Sequence, residues 1–344
     1  MNVARLVGRF RGRRGNSEVD GDSLHIQFLE DSEELANSLS VIPSETSLKE
    51  RMLLYFLAKE WVVDSNILEL GPFLGGTTKA LAKGVASSLN GNRKVLTIDR
   101  FDSYYSLAAI ESMGVAVPGS LKTAPNAPFK SIFDSIHSGK PYFDKIVAHT
   151  MAIPDKPVDS IDYSFLKEYS PFGAVFVDGC KSWYSTKNFC SGVVDYCRAG
   201  TYFLFQDYGR YTCFWIPVFA ECFPESLQLV GSVDSTYIYK LISPLTAERI
   251  EERFPDSPQE IDRSELDKIF DRVIQRERIR KNYSALVSCR IQHAAFFAYV
   301  GEKERAREML KALYSEGYVR GQLARRVEAA MKSPTYTPDS DVTL

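Results

Sequence analysis

Asn66-Ile-Leu-Glu-Leu-Gly-Pro-Phe-Leu-Gly-Gly-Thr-Thr78 is the stretch whose reading decides the fold. Ile67, Leu68 and Leu70 suit a short strand covered on both faces, as in a parallel sheet. Gly71, Gly75 and Gly76 then let the backbone turn sharply and approach a ligand with no Cβ in the way. Thr77 or Thr78 can cap the helix that follows, whose N–H groups point at whatever occupies the loop. In such an architecture the site is expected in the crevice beyond the carboxyl ends of the strands.

A dinucleotide loop needs a second glycine two residues after the first, so that backbone can touch the pyrophosphate. Here Pro72 and the bulky Phe73 follow Gly71, which disfavours a nicotinamide-dependent oxidoreductase. No Gly-Lys-Ser/Thr follows either, so the loop is not a nucleotide hydrolase's phosphate cradle. A turn that needs glycine only for packing stays open on this stretch alone.

Working outward, 344 residues predict one large domain with an appendage. A net charge of −2 excludes a global basic field for nucleic acid, and no apolar run is long enough for a transmembrane helix. The six cysteines lack any Cys-x-x-Cys spacing, so reduced, buried thiols and a cytoplasmic location are expected. Residues 1–43 read as a basic, arginine-rich tail followed by an acidic segment, partly disordered, with one short strand at Leu24–Leu29.

Ser47-Leu-Lys-Glu50 is a capping box opening a helix that runs to Trp61. A helix over Thr78–Leu89 follows the glycine loop. Strands are predicted at Lys94–Asp99, Lys145–His149, Ala174–Asp178 and Thr201–Phe205. The span Tyr104–Pro128, holding glycines and prolines, is a candidate lid. Helices are predicted over Phe129–Ser138, Tyr163–Tyr169, Ser185–Arg198 and Thr212–Phe223, and Leu227–Val233 with Thr236–Leu241 form a closing antiparallel pair. From Pro244 the chain turns charged and helix-periodic. Residues 44–243 thus form an α/β domain and 244–332 a helical appendage, with 333–344 a disordered tail. Within the appendage, His293–Tyr299 through Gly301 to Leu310 resembles one tetratricopeptide-type helical pair, a candidate face for homo-oligomerisation.

Acids end the strands. Asp99 stands where a nucleoside ribose would sit and a carboxylate there can accept from both ribose hydroxyls, the alternative being an N-cap or surface carboxylate. Asp178 with Lys181, and Gln206 with Asp207, follow the next two strand ends. Cys180 has no arranged histidine and reads as a packed thiol. His149 lies at a strand end, either near the crevice or simply packed. Trp183, Tyr184, Tyr208, Tyr211 and Trp215 either wall a pocket or fill the core.

Glu69-Leu-Gly71 with the Gly75–Gly76 pair, Asp99-Arg100-Phe101, Val177–Tyr184 and Phe205–Tyr208 together resemble class I S-adenosylmethionine-dependent methyltransferases, and within them the macrocin-type O-methyltransferases of antibiotic sugars. The resemblance covers roughly residues 40–242. It implies a Rossmann-like seven-stranded sheet with helices on both faces, and methyl transfer to a hydroxyl on a small-molecule acceptor. It implies a cofactor site at Glu69, Gly71, Gly75, Thr77, Asp99, Arg100 and Phe101, a Mg2+ site at Asp178, Gln206 and Asp207, and, without a metal, Asp207 or Asp178 as base. Lys181 is a further catalytic candidate only if burial lowers its pKa, and otherwise reads as an exposed helix-start lysine. The departures are Gln206 in place of an acid, Cys180 in place of the usual base, and Lys181 in place of a histidine. They leave the metal open, and motivate an alternative, a methyltransferase-fold binding or scaffolding protein without activity.

Overall fold

Alternation explains how the sheet acquires two buried faces. In β1 (Asn66–Leu70) Ile67 belongs to one apolar cluster, while Leu68 and Leu70 belong to another. β4 (Phe172–Val177) repeats this, with Ala174 and Phe176 against Val175 and Val177. Side chains two apart share a face of a strand, so a run apolar at every position must be covered on both sides.

The computed structural model describes residues 33–102, 105–117, 119, 129–158 and 160–335. With β2 (Val95–Asp99), β3 (Ile146–Thr150), β5 (Cys197–Phe205), β6 (Leu227–Val233) and β7 (Thr236–Leu241), the strands form one sheet of order β3-β2-β1-β4-β5-β7-β6. β1 to β5 are parallel and β7 is antiparallel to both its neighbours. This is the Rossmann-like, methyltransferase-type sheet, with helices on both faces and helices following its last strand.

One face is covered by α1 (Glu33–Ser40), α2 (Leu48–Phe56) and α3 (Gly76–Ala86), through Leu39, Leu53, Leu81 and Val85. The capping box of α2 forms as predicted, Ser47 Oγ accepting from the Glu50 N–H. Glu50 also accepts from Ser235 and Thr236, tying α2 to the β6–β7 turn. A π-helical turn, Leu57–Trp61, ends that helix. α4 (Leu107–Ser112) and α5 (Lys130–His137) enclose a small third cluster around Phe101 and Leu74.

The other face carries α6 (Trp183–Val194) and α7 (Trp215–Cys222). Beyond them come α8 (Ala247–Arg253), α9 (Arg263–Ile279), α10 (Tyr283–Tyr299), α11 (Lys303–Tyr314) and α12 (Gln322–Ala330). Phe203 and Phe219 share one continuous apolar cluster with Phe270, Phe296, Leu310 and Val327. Polar bonds reinforce this junction. Arg276 on α9 meets Glu221 at 2.7 Å and the Tyr208 hydroxyl at 2.7 Å, and Tyr239 donates to the same Glu221 oxygen at 2.7 Å.

Some boundaries depart from the sequence reading. Neither Thr77 nor Thr78 caps α3; Gly75, at φ +86°, is its N-cap, because the loop enters the helix in left-handed conformation. The helix predicted over Ser185–Arg198 stops at Val194. Pairing with Phe172 of β4 draws Cys197 into β5 and overrides its helical spacing. Thr335, assigned to the tail, is buried and donates to the Thr212 carbonyl at 2.8 Å. The strand at Leu24–Leu29, the whole basic tail, much of the candidate lid and residues 336–344 lie outside the described residues.

Arg276→Ala removes a cation from a carboxylate whose side chain is only 8% exposed. Leaving such a group unpaired typically costs about 3–5 kcal/mol, and the guanidinium's partial exposure sets the expectation at the lower end, about 3 kcal/mol. Urea unfolding measures it; a loss below about 1 kcal/mol would show that the junction rests on apolar packing alone.

Candidate functional site

The register of the parallel strands builds the site. Leu70 pairs with Ile98 on one side and with Val177 on the other, and Val177 pairs with Phe205. Four strands therefore end level. The backbone continues the match one residue further, with Gly71 N–H donating to Ile98, Asp178 N–H to Leu70 and Gln206 N–H to Val177. Gly71, Asp99, Asp178 and Gln206 stand in one row above the sheet, and the strand order reverses between β1 and β4. A crevice of about 990 Å3 opens over this switch point, bordered by Gly71, Thr77, Asp99, Asp178 and Asp207. Its size is at the upper end of small-ligand pockets.

Its β1–β2 side is a loop under conformational load. Phe73 (φ 53°) and Phe101 (φ 46°) follow β1 and β2 in left-handed conformation, and Asp207 (φ 63°) follows β5 in the same way. Such backbone costs about 1–3 kcal/mol per residue and persists where surrounding contacts impose it. Asp99 supplies two of those contacts, accepting from Phe101 N–H at 2.9 Å and from Phe73 N–H at 3.3 Å.

The glycines are needed chiefly for packing. A Cβ on Gly71 would lie 2.9 Å from Gly179 N, and one on Gly75 would lie 2.0 Å from His137 Nε2. The expectation that they leave room for a ligand is thus only partly right: Gly71 borders the crevice, but its missing side chain admits the β4 loop. His137 braces the loop from behind, with Nε2 3.2 Å from the Leu74 carbonyl and Nδ1 3.4 Å from the Tyr142 hydroxyl.

Three residues expected at the cofactor, Glu69, Gly75 and Phe101, do not border the crevice. Glu69 is fully buried beneath the loop, where Thr78 donates to it at 2.6 Å; burial raises its pKa, with Thr77 and Thr78 opposing. It braces the start of α3. Phe101 is fully buried and packs edge-on against Phe129 and Phe133. Arg100 borders the crevice and pairs with Asp102 at 2.6 Å.

On the β4–β5 side, Lys181 joins the two acids. Its Nζ lies 2.7 Å from Asp207 and 3.2 Å from Asp178, and Arg210 stands 3.7 Å from the other Asp207 oxygen. Burial pushes the Asp178 carboxyl up to about 7; Lys181 opposes and Asp207 adds to the shift. Burial works against the Lys181 charge, but Asp178 and Asp207 outweigh it and hold the ammonium above its ordinary range. Lys181 is therefore not a base, contrary to one role assigned from sequence, since a base must give up its proton readily near neutral pH. The Mg2+ site implied at Asp178, Gln206 and Asp207 does not fit these residues, because the space between the carboxylates is held by an ammonium. Among the described residues no group of three or more His, Cys, Asp or Glu could hold a metal ion.

Cys180 is buried with its pKa raised by burial, and its thiol donates to the Ser185 carbonyl. Trp183, Tyr208 and Trp215 are core residues, 0–1% exposed, and of the five clustered aromatics only Tyr211 borders the crevice. His149 stacks on Phe165 at 3.8 Å and does not border it.

Sequence reasoning missed several lining groups. Arg210 was detectable, since it stands three residues after Asp207. Tyr105 and Glu45, joined at 2.5 Å, come from distant segments and carry no local signal. Arg325, Lys332 and Thr335, from α12 and the chain after it, complete the wall. Gln292 on α10 fixes the opposite loop, donating to the Tyr208 and Arg210 carbonyls at 2.8 Å each.

No protein-family profile matches the chain, and no curated protein does. Solved structures with a similar fold include an O-methyltransferase from Bacillus cereus in complex with SAH. It is 16% identical with a TM-score of 0.39, over 61% of this chain and 88% of that one. The TDP-rhamnose 3'-O-methyltransferase CalS11, of calicheamicin biosynthesis, is also 16% identical with a TM-score of 0.39, over 62% and 88%. The O-methyltransferase NovP is 13% identical with a TM-score of 0.37, over 57% and 81%. At this distance the likeness says nothing of what this chain binds, and the fold assignment rests on its own strand order.

Burial pushes His137 down to about 4, against the Leu74 carbonyl, which raises it. The unfolded imidazole binds its proton near 6.5, so the folded state refuses a proton that the unfolded state takes. Stability is fully present above pH 6.5 and falls as the pH drops towards 4, by about 3 kcal/mol from this group. His137→Gln should flatten that limb in denaturant titrations at each pH; identical pH slopes for both proteins would refute it.

Proposed function

We propose that this crevice binds S-adenosylmethionine and transfers its methyl group to a hydroxyl of a small molecule. The observation that carries the reading is the level row of Gly71, Asp99, Asp178 and Gln206 at the switch point, with acids at both ends of one crevice. Asp99 and the loop of Gly71 to Phe73 would hold the nucleoside half, with Thr77 and the start of α3, whose N-cap Gly75 offers no side chain, beside them. β2 and β5 are three strand spacings apart, about 14 Å, which separates a donor half from an acceptor half.

In the acceptor half the oxygen attacks the sulfonium methyl in line. The O–C bond forms as the C–S bond breaks, and the sulfur leaves as a neutral thioether. The hydroxyl proton passes to Asp178, whose raised pKa suits a general base near neutrality. Orienting two reactants and removing one proton is all that the protein must do, because the methyl group is already electrophilic.

Calorimetry with S-adenosylmethionine and S-adenosylhomocysteine tests the donor half, and no binding of either would sink the reading. Asp99→Ala is expected to weaken both by about 1.5–3 kcal/mol, the scale of a charge-assisted hydrogen bond. Unchanged affinity would remove Asp99 from the site. Binding without transfer to any of a broad hydroxyl panel would favour the binding-protein alternative.

A further inference from the structure

We infer that Lys181 is the resident cation of this site: its ammonium stands between Asp178 and Asp207 where a divalent ion would have to bind, so the native crevice takes up no such ion. Three observations carry this. The first is geometric. One Nζ reaches Asp207 at 2.7 Å and Asp178 at 3.2 Å, and these carboxylates come from loops after two neighbouring strands. The second is charge. Asp207 has a second cation, Arg210, at 3.7 Å, so two carboxylates already face two cations. A dication entering here would meet a balanced site and two positive neighbours. The third is the donor set. The buried Gln206 Oε1 has no hydrogen-bond partner among the described residues, and Gln206 lines an adjoining cavity of about 340 Å3 with Asp178 and Asp207. Two carboxylates and an amide oxygen with waters would suit a hard cation. What blocks them is the lysine side chain.

Its backbone is fixed where it stands. The next residue, Ser182, caps α6 in a reciprocal pair with Ser185 and also donates to Asp155 at 2.8 Å. The cation's use in transfer rests on the methyltransferase reading, where it would sit beside the acceptor oxygen as negative charge develops. Its placement does not rest on that reading.

The test uses the full chain and Mn2+ as probe, following loss of the free-ion electron paramagnetic resonance signal. The native protein is expected to bind no Mn2+ at this site up to millimolar concentration. Lys181→Ala should bind one Mn2+ at least tenfold more tightly, and adding Asp207→Asn should abolish that gain. Lys181→Arg keeps a cation and should exclude the ion as the native protein does. If Lys181→Ala does not fold, the native protein and Lys181→Arg still decide. Native Mn2+ binding that falls with Asp207→Asn would overturn the inference. So would a folded Lys181→Ala with no gain, or Mn2+ binding by Lys181→Arg. None of these arms involves S-adenosylmethionine, so their failure is distinguishable from failure of the donor site.

Discussion

Level strand ends are the constraint on which the rest depends. A parallel strand fixes its neighbour's register through evenly spaced backbone hydrogen bonds, so a shift of one residue would turn every side chain to the wrong face. Here β1 holds both β2 and β4, and β4 holds β5, such that Leu70, Ile98, Val177 and Phe205 align. The residues that follow have left-handed or glycine backbone at several points, Gly71, Phe73, Phe101 and Asp207 among them. The crevice is therefore a product of backbone pairing first and side chains second. Asp99 serves both, since it stabilises two of those turns while facing the crevice.

The chemistry is divided across the switch point. On one side a tightly packed loop and the Asp99 carboxylate offer acceptors and helix N–H groups. On the other, opposite charges lie close together; Asp178 and Asp207 hold the Lys181 ammonium above its ordinary range, while burial raises the Asp178 carboxyl. Lys181 is 41% exposed at its side chain and Asp207 only 7%, so the pair sits at the boundary between water and protein. The appended helices are part of this second half. Gln292 holds the loop after β5 by its carbonyls, and Arg325 and Lys332 border the same space.

Much of this was legible in the sequence, and the reason is local. The strand runs from Asn66 onward, the Ser47 capping box and the closing hairpin are written in contiguous residues, and each appears in the structure. Acids at strand ends could be placed because strands end where apolar runs end. What was not legible depends on contacts far apart in the chain. Phe101 looks like a cofactor neighbour by position but is drawn into a core by Phe129 and Phe133. Lys181 reads as a base only if burial lowers its pKa, yet Asp178 and then Asp207, the latter 26 residues away, outweigh burial and raise it. The start of β5 at Cys197 and the anchoring of Thr335 are likewise set by neighbours that no periodicity announces.

The continuous apolar cluster has a consequence for how the chain is made. All seven strands precede α9 to α12 in order of synthesis, yet Phe203, Phe205 and Phe219 lie in one cluster with Phe270, Phe296 and Leu310. A ribosome that has just released the sheet has delivered a layer whose outer aromatic helix still lacks its cover. Such a nascent intermediate exposes apolar surface and is prone to association until the later helices arrive. The molecule thus matures from its carboxyl side, and the segment that closes the crevice is also the one that ends the vulnerable stage of its birth.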